Sequence, residues 1–312
     1  MTEKPPPAVP GLTGSDAAQK PVNPPSQGTI DAILLSLKAV EQGLHKPIRV
    51  ADLADAAGYS LFHFTRLFNR TLHFSPYDYL IRRRLSEAAR DLQNPNVRIL
   101  DIALKYQFGS HESFSRAFKR MFGMPPSGCR ECGPDPHLVL DPVGGEMLHF
   151  MHSGPLVIES RTLPQLRLTG LMTHTGEPGD QPGALWEHLA CLLDSAGSEP
   201  APVQCCTLRL YPPGWKIHGL QIMAAVLLNE TPALHPSLVE KTLPSGTWVS
   251  IQPPASTTSA KLLRSYLYQI WLPGMRFQLR LPLELEMHSG IPIRLSPPAE
   301  RSQELLVPIT AT

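Results

Sequence analysis

Long apolar runs are missing from this sequence. The longest, Ile222 to Leu228, falls far short of the roughly 20 residues that a membrane-spanning helix needs, which excludes such a span. The start, MTEKPPPAVP, has no apolar stretch behind a basic residue, so no export signal is expected and a cytoplasmic location follows. Cysteine is scarce: five, at 129, 132, 191, 205 and 206, an odd number that points to reduced thiols and not to a disulfide framework. Cys129-x-x-Cys132, with His137 nearby, is half of a zinc or redox pattern. No second CxxC and no downstream His pair complete it, so no metal and no cofactor is expected.

Net charge is also nearly absent, at +1, but its distribution is uneven. Residues 29–130 hold 15 Lys/Arg against 9 Asp/Glu, a balance of +6. Residues 131–312 hold 11 against 16, a balance of −5. At 312 residues the chain is long enough for two domains, and the basic one is the candidate partner of a polyanion.

Residues 1–28 carry seven prolines and no apolar period, the composition of a disordered tail. Order is expected near Thr29, as N-cap of a helix with Ile30, Ile33, Leu34, Leu37, Val40 and Leu44 on one side. Next, "IRVADLADAAGYSLFHFTRLFNRTL" reads as a short helix (Leu53, Ala54, Ala57), a turn at Gly58, and a second helix with Phe64, Leu67 and Phe68 inward. That order is a helix-turn-helix.

The unit recurs. Setting "SLFHFTRLFNRTLHFSP" over "SHESFSRAFKRMFGMPP" pairs Ser60 with Ser110, Phe64 with Phe114, Arg66 with Arg116, Phe68 with Phe118, Arg70 with Arg120 and Pro76 with Pro126, all 50 apart. The preceding helices match at 49 (Asp52 with Asp101, Ala54 with Ala103, Tyr59 with Phe108), so one residue is inserted at the second turn, where Gln107 stands for Gly58. This is an internal duplication. Between the copies, "SPYDYLIRRRLSEAARDLQNP" reads as one long helix that fixes their separation.

A helix that offers Ser, His, Glu and Arg after a tight turn suits the major groove of DNA, where Arg bonds guanine bidentately. Two such helices on a rigid connector can read successive major grooves of double-stranded DNA, about 34 Å apart. Because the copies differ, the site is expected to be asymmetric. A catalytic reading of His111–Glu112 fails, since neighbours on a helix point about 100° apart. His174 and His188 have no partner spacing for a triad or a metal site.

Residues 29–130 resemble the AraC/XylS transcriptional regulators, most closely the branch that includes Rob. The likeness rests on "ADLADAAGYS", "F-x-R-L-F", "RRRLSEAA" and "ILDIALKYQFGSHESFSRAFKRMFGMPP". It implies base contacts from Phe62, Thr65 and Arg66 in the first recognition helix and from His111, Glu112, Ser115 and Arg116 in the second. It also implies phosphate contacts from Arg70, Lys119 and Arg120, and RNA polymerase as a protein partner. Phe62 and Thr65 stand where Rob-like proteins commonly have Trp and Gln, and Cys129–Arg130 replaces the family's terminal Tyr-Arg, so operator sequence does not transfer.

From about residue 155 the pattern becomes two ββαββ-like halves: strands in "PLVIESRTLPQLRLTGLMTH", a helix in "GALWEHLACLLDSAG", strands in "CTLRLY" and "GLQIMAAVLLN", then the same order again. The motifs "LPSGTWVSI" (243–251), "YLYQIWLPG" (266–274) and "LELEMH" (283–288) resemble the GyrI-like effector-binding fold. That resemblance implies a cleft in which a buried acid, Glu284 or its neighbour Glu286, holds a small cationic aromatic effector among Trp248, Tyr268 and Trp271. Such tryptophans also serve commonly as core.

The expected architecture is therefore α plus α+β. It comprises a disordered tail (1–28), an all-α double helix-turn-helix domain (29–130), a Pro-, Gly- and His-rich linker (131–154) and a GyrI-like α+β domain (155–312). The expected function is that of a non-enzymatic transcription regulator with a small-molecule-sensing domain. Two alternatives stand: a constitutive DNA-binding protein whose second domain contacts RNA polymerase or another protein, and a DNA-binding module fused to a GyrI-like hydrolase.

Overall fold

The structure, a computed structural model, describes residues 26–135, 137–152, 156–175, 183–195, 204–211, 219–227, 236–252, 260–274, 277–288 and 302–311. The tail expected over 1–28 lies, up to residue 25, outside them. The described residues form two compact units: 26–152 with 265–274, and 156–264 with 277–311.

The first unit is helical: α1 Gln27–Gln42, α2 Val50–Ala56, α3 Leu61–Leu72, α4 Pro76–Asp91, α5 Ile99–Lys105, α6 His111–Phe122, α7 Pro126–Cys132 and α8 Gly145–His152. The N-cap of helix α1 lies three residues before the expected Thr29. It is Ser26, accepting the Thr29 amide proton at 3.3 Å. In each helix-turn-helix copy the phenylalanine stripe is buried: Phe64 and Phe68 in α3, then Phe114, Phe118 and Phe122 in α6. The connector α4 touches both. Tyr79 packs edge-on to Phe68 at 5.7 Å, while Leu85, Ala88, Ala89 and Leu92 join the cluster around Phe114 and Phe118.

Residues 131–154, expected as a linker, contain helix α8, which buries Met147, Leu148 and Phe150. Their Pro and Gly content hid an apolar patch large enough to pack. A second difference concerns "YLYQIWLPG". Helix α10, Ala260–Ser265, continues as a π-helix over Tyr266–Trp271 and a 3-10 turn over Leu272–Gly274, and from Ser265 on it belongs to the helical unit. There Tyr266 meets Phe150 at 5.9 Å and Tyr268 lies against His137 at 4.0 Å.

The second unit is an antiparallel sheet: β1 Val157–Leu163, β2 Leu166–Thr175, β3 Gln204–Leu210, β4 Leu220–Leu227, β5 Val239–Leu243, β6 Gly246–Gln252, β7 Phe277–Leu279, β8 Leu283–His288 and β9 Ser302–Ala311. The strand order is β1-β6-β9-β8-β3-β4-β2-β5, with β7 paired to β9. Exchanging the halves (β1 with β5, β2 with β6, β3 with β8, β4 with β9) reverses this order into itself, so the expected ββαββ repeat is present as a pseudo-twofold about the β3–β8 pair. Helix α9, Gly183–Ser195, lays Trp186 and Leu189 on Leu171, Cys205, Ala224 and Val226. The opposite face carries Cys206, Leu208, Met223, Ala225, Trp248, Leu285 and Leu306.

Candidate nucleic-acid interface

Both recognition helices are set by the same local devices. Ser60 caps α3 by accepting the His63 amide proton. Ser110 caps α6 reciprocally with Ser113: each side chain accepts the other's backbone N–H, at 3.1 and 3.2 Å. Gly58 and Gln107 turn the chain through the left-handed region. His73 and Gly123, also 50 apart, end α3 and α6 in that conformation.

This geometry leaves one face of each helix to solvent. On α3, Phe62 is 80% exposed and Arg66 and Arg70 are exposed. Thr65 is half-buried, and its hydroxyl donates to the Leu61 carbonyl at 2.8 Å, which leaves its methyl as the outward group. On α6, His111, Glu112, Arg116, Lys119 and Arg120 are exposed. Ser115 differs: its Oγ is buried without a hydrogen-bond partner. Glu112 lies in the first turn, where backbone and Ser110 hydrogen bonds, with smaller contributions from His111 and Arg116, hold its carboxyl below the ordinary range.

The cations divide by role. Arg49 with Asp52, Arg98 with Asp101, Lys105 with Asp91 and Arg90 with Asp141 are ion pairs, and the first two again sit 49 apart at matching helix starts. Arg83 is buried between Glu41 and Glu87. Arg84, also buried, donates to the carbonyls of Leu44, Gly43 and Lys46. Arg130 donates to the carbonyls of Leu92 and Val97. In contrast, Arg66, Arg70, Arg116, Lys119 and Arg120 form no ion pair among the described residues. Part of the basic excess read from composition is thus structural; what faces solvent unpaired is concentrated on α3 and α6.

A family described as a helix-turn-helix domain matches residues 53–131. The transcriptional activator AarP of Providencia stuartii is 38% identical over 105 residues, covering 33% of this chain and 78% of AarP. This chain belongs to the AraC family. The uncharacterized regulator YbfP of Bacillus subtilis is 40% identical over 99 residues, 32% of this chain and 34% of YbfP, so the match spans about a third of that relative. Among solved structures, an AraC-type regulator from Chromobacterium violaceum aligns with 34% of this chain and 95% of its own, at 26% identity and a TM-score of 0.32. The family match of this AraC-family chain lies within the helical unit.

Of the residues expected around an effector, Glu284, Glu286 and Trp248 lie in the sheet unit, and Tyr268 and Trp271 in the helical unit. Glu284 and Glu286 sit on β8 on the α9 face, in a buried cluster with Arg209 of β3 and Arg264 of α10. Glu284 lies 2.5 Å from Arg264 Nε and 3.6 Å from Arg209; Glu286 lies 2.7 Å from Arg209 and 2.8 Å from Arg264. Burial raises the Glu286 carboxyl, but Arg264, Arg209 and His288 outweigh it and leave it below the ordinary range. His288 meets Thr207 Oγ1 at 2.9 Å and Trp186 edge-on at 5.7 Å; burial depresses its pKa. Burial, then the Glu284 charge, pushes the Tyr211 hydroxyl well above its usual value. Trp248 packs with Leu283 and Leu285, on the sheet face opposite Glu284. Tyr268 and Trp271 belong to the helical unit. Within the sheet unit, the rings by the acids are Tyr211, beside Glu284, and Trp186, which meets His288. Strand parity from "LELEMH" tells that the acids share a face; it cannot tell which tryptophan reaches it.

No three His, Cys, Asp or Glu residues come together as a metal site among the described residues, and no described helix is long and apolar enough to cross a membrane.

Proposed function

We propose that this AraC-family chain is a transcription regulator that reads an asymmetric double-stranded DNA site with α3 and α6, while its sheet unit senses a small molecule. The observation that carries the DNA reading is the contrast in pairing: the five exposed cations of the recognition helices form no ion pair among the described residues, whereas Arg49, Arg90, Arg98 and Lys105 elsewhere on the helical unit are paired, and Lys38 and Lys46 are not. Unpaired exposed Arg and Lys are free to neutralise phosphate and bond guanine. Base contacts are assigned to Phe62, Thr65, Arg66, His111, Glu112, Ser115 and Arg116, and phosphate contacts to Arg70, Lys119 and Arg120. For Ser115 this requires its hydroxyl to rotate outward. In vitro selection from random DNA tests the proposal: it expects one asymmetric two-part sequence, and recovery of no enriched sequence overturns it.

The sensing reading rests on the buried cluster at Glu284 and Glu286, where a cationic effector would compete with Arg264 for carboxylate. A cationic dye is expected to quench tryptophan fluorescence, and Glu284→Gln to weaken that response in a folded protein. Equal affinity for a neutral analogue overturns the charge argument. One observation favours the constitutive alternative, with the sheet unit contacting RNA polymerase: both carboxylates already face two arginines, so the ligand-free cluster has no uncompensated negative charge. Dyes that leave both fluorescence and DNA affinity unchanged support that second reading.

A further inference from the structure

The residues from His137 to Val143 have no role in the recognition helices, yet they are bonded along α4. The Val143 amide donates to Tyr79 Oη at 3.1 Å, Arg83 Nη1 donates to the Leu140 carbonyl, the Leu140 amide donates to Ser86 Oγ at 2.9 Å, and Arg90 Nη2 meets Asp141 Oδ1 at 2.6 Å. Residues 79, 83, 86 and 90 follow helical spacing, so the segment lies as a strap along one face of α4. From its other side the strap is met by the π-helix. Gln269 accepts the Asp141 amide proton at 3.2 Å, donates to Asp141 Oδ2 at 3.3 Å, and is followed in space by the Tyr268–His137 ring contact at 4.0 Å. Asp141 is held by side chains from both α4 and the π-helix.

That position matters because α4 is the connector between the two helix-turn-helix copies, with Phe68 packed near its start and Phe114 and Phe118 against its second half. A small rotation or bend of α4 alters the spacing at which α3 and α6 meet two successive grooves. Gln269 lies within the π-helical stretch Tyr266–Trp271, and such turns recur at functional positions in helices.

We propose that Asp141 is a positioning residue for DNA recognition: held by Gln269, it fixes Arg90 and with it α4, and so selects the spacing between the two halves of the DNA site. The proposal rests on the DNA reading above. It assigns regulation of spacing to a contact outside both recognition helices. Asp141 is exposed, so its ion pair contributes little to stability. Its effect on binding is therefore separable from folding.

The test uses the full chain and the sequence recovered by selection, with the spacer between its halves lengthened or shortened by one base pair, and with each half alone at low salt. Asp141→Ala and Gln269→Ala are each expected to lower affinity for the preferred spacing about three- to tenfold and to flatten the spacing preference. Affinity for either half alone, and the melting temperature, should stay at wild-type values. Asp141→Glu should restore part of the preference, and the double variant should lose no more than either single one, because both break one link. An unchanged spacing preference in both variants overturns the proposal while leaving the DNA reading intact. Equal losses on the half-sites and the full site also overturn it, since that is general destabilisation. A wild-type chain that enriches no DNA sequence overturns both.

Discussion

Gly58 and Gln107 hold the same left-handed place in the two helix-turn-helix copies, at φ 73° and 65°. The duplication thus repeats a backbone conformation where it does not repeat the residue. In the first copy glycine takes it without steric cost. In the second, Gln107 bears that cost and its side chain donates to the His45 carbonyl at 2.8 Å, tying the second turn to the loop after α1, where His45 also meets Tyr106 at 4.9 Å. Gly58→Ala follows as a clean probe. A Cβ there meets nothing within 4 Å, so only backbone strain acts. Urea denaturation should show a loss of about 1–2 kcal/mol. An unchanged midpoint would mean that the turn relaxes out of the left-handed region.

Arg66→Ala and Arg116→Ala are expected to weaken specific DNA binding by about 1–3 kcal/mol each and to relax base preference at one position in opposite halves of the site. Lys119→Ala and Arg120→Ala should instead weaken binding to all sequences alike and reduce the salt slope by about one each. Arg98→Ala is the control. Its guanidinium is paired with Asp101 at a helix start, so DNA affinity should hold. Footprints that stay unchanged in both Arg66→Ala and Arg116→Ala would remove α3 and α6 from the interface.

Within the sheet unit, Glu286→Gln leaves Arg209 and Arg264 with one carboxylate in a buried setting. Removing one partner of such a group costs about 3–5 kcal/mol, and thermal unfolding should report it. Lysine in place of Arg264 should cost less but lose the two-point contact to Glu284 and Glu286. A Glu286→Gln protein as stable as the wild type would show that the cluster takes up water once a charge is removed.

His288 gives the unit a pH dependence with a definite sign. Its folded-state pKa is depressed, mainly by burial, so the unfolded chain binds the proton more readily below its ordinary value of 6.5. The stability it contributes is present above that pH and is lost as pH falls toward its folded pKa. Glu286, also depressed, adds a second loss below its ordinary 4.5. Melting curves of wild type and His288→Gln between pH 7 and pH 5 should differ chiefly in slope, the variant being flatter. Parallel slopes would mean that His288 is protonated in the folded chain, with Glu286 overriding burial.

Much of this fold could be read from residue order because its signals are local. The phenylalanines four apart and the 50-residue offset need no knowledge of distant contacts, and both reappear as buried stripes on two matching helices. The ββαββ repeat was legible for the same reason. What stayed hidden depends on pairing across long separations. Arg83 and Arg84 look like surface charge until Glu41 and the end of α1 close over them. Trp248 looks like a ring for a ligand until strand parity puts it on the other face of the sheet from Glu284. Tyr268 and Trp271 lie late in the chain, within a stretch that reads as α+β, and only tertiary packing returns them to the helices.

The boundary at residue 130 gives the last prediction. Composition ends the helical domain there, but Val139, Leu140, Val143, Met147, Leu148 and Phe150 are all buried, and Leu140 and Val143 are also hydrogen-bonded to α4. Full burial of one such side chain is worth about 1.5–3 kcal/mol as an upper bound, and a fragment that ends at 132 forfeits all six. A fragment of residues 26–132 should therefore unfold at lower urea than one of 26–152, with a smaller m-value because less surface is buried. Specific DNA affinity should fall with it, since α4 loses the bonds to Tyr79, Ser86 and Arg90 that hold its outer face. Identical midpoints and m-values for the two fragments would restore the linker reading of 131–152 and would deprive the strap of its place in the domain.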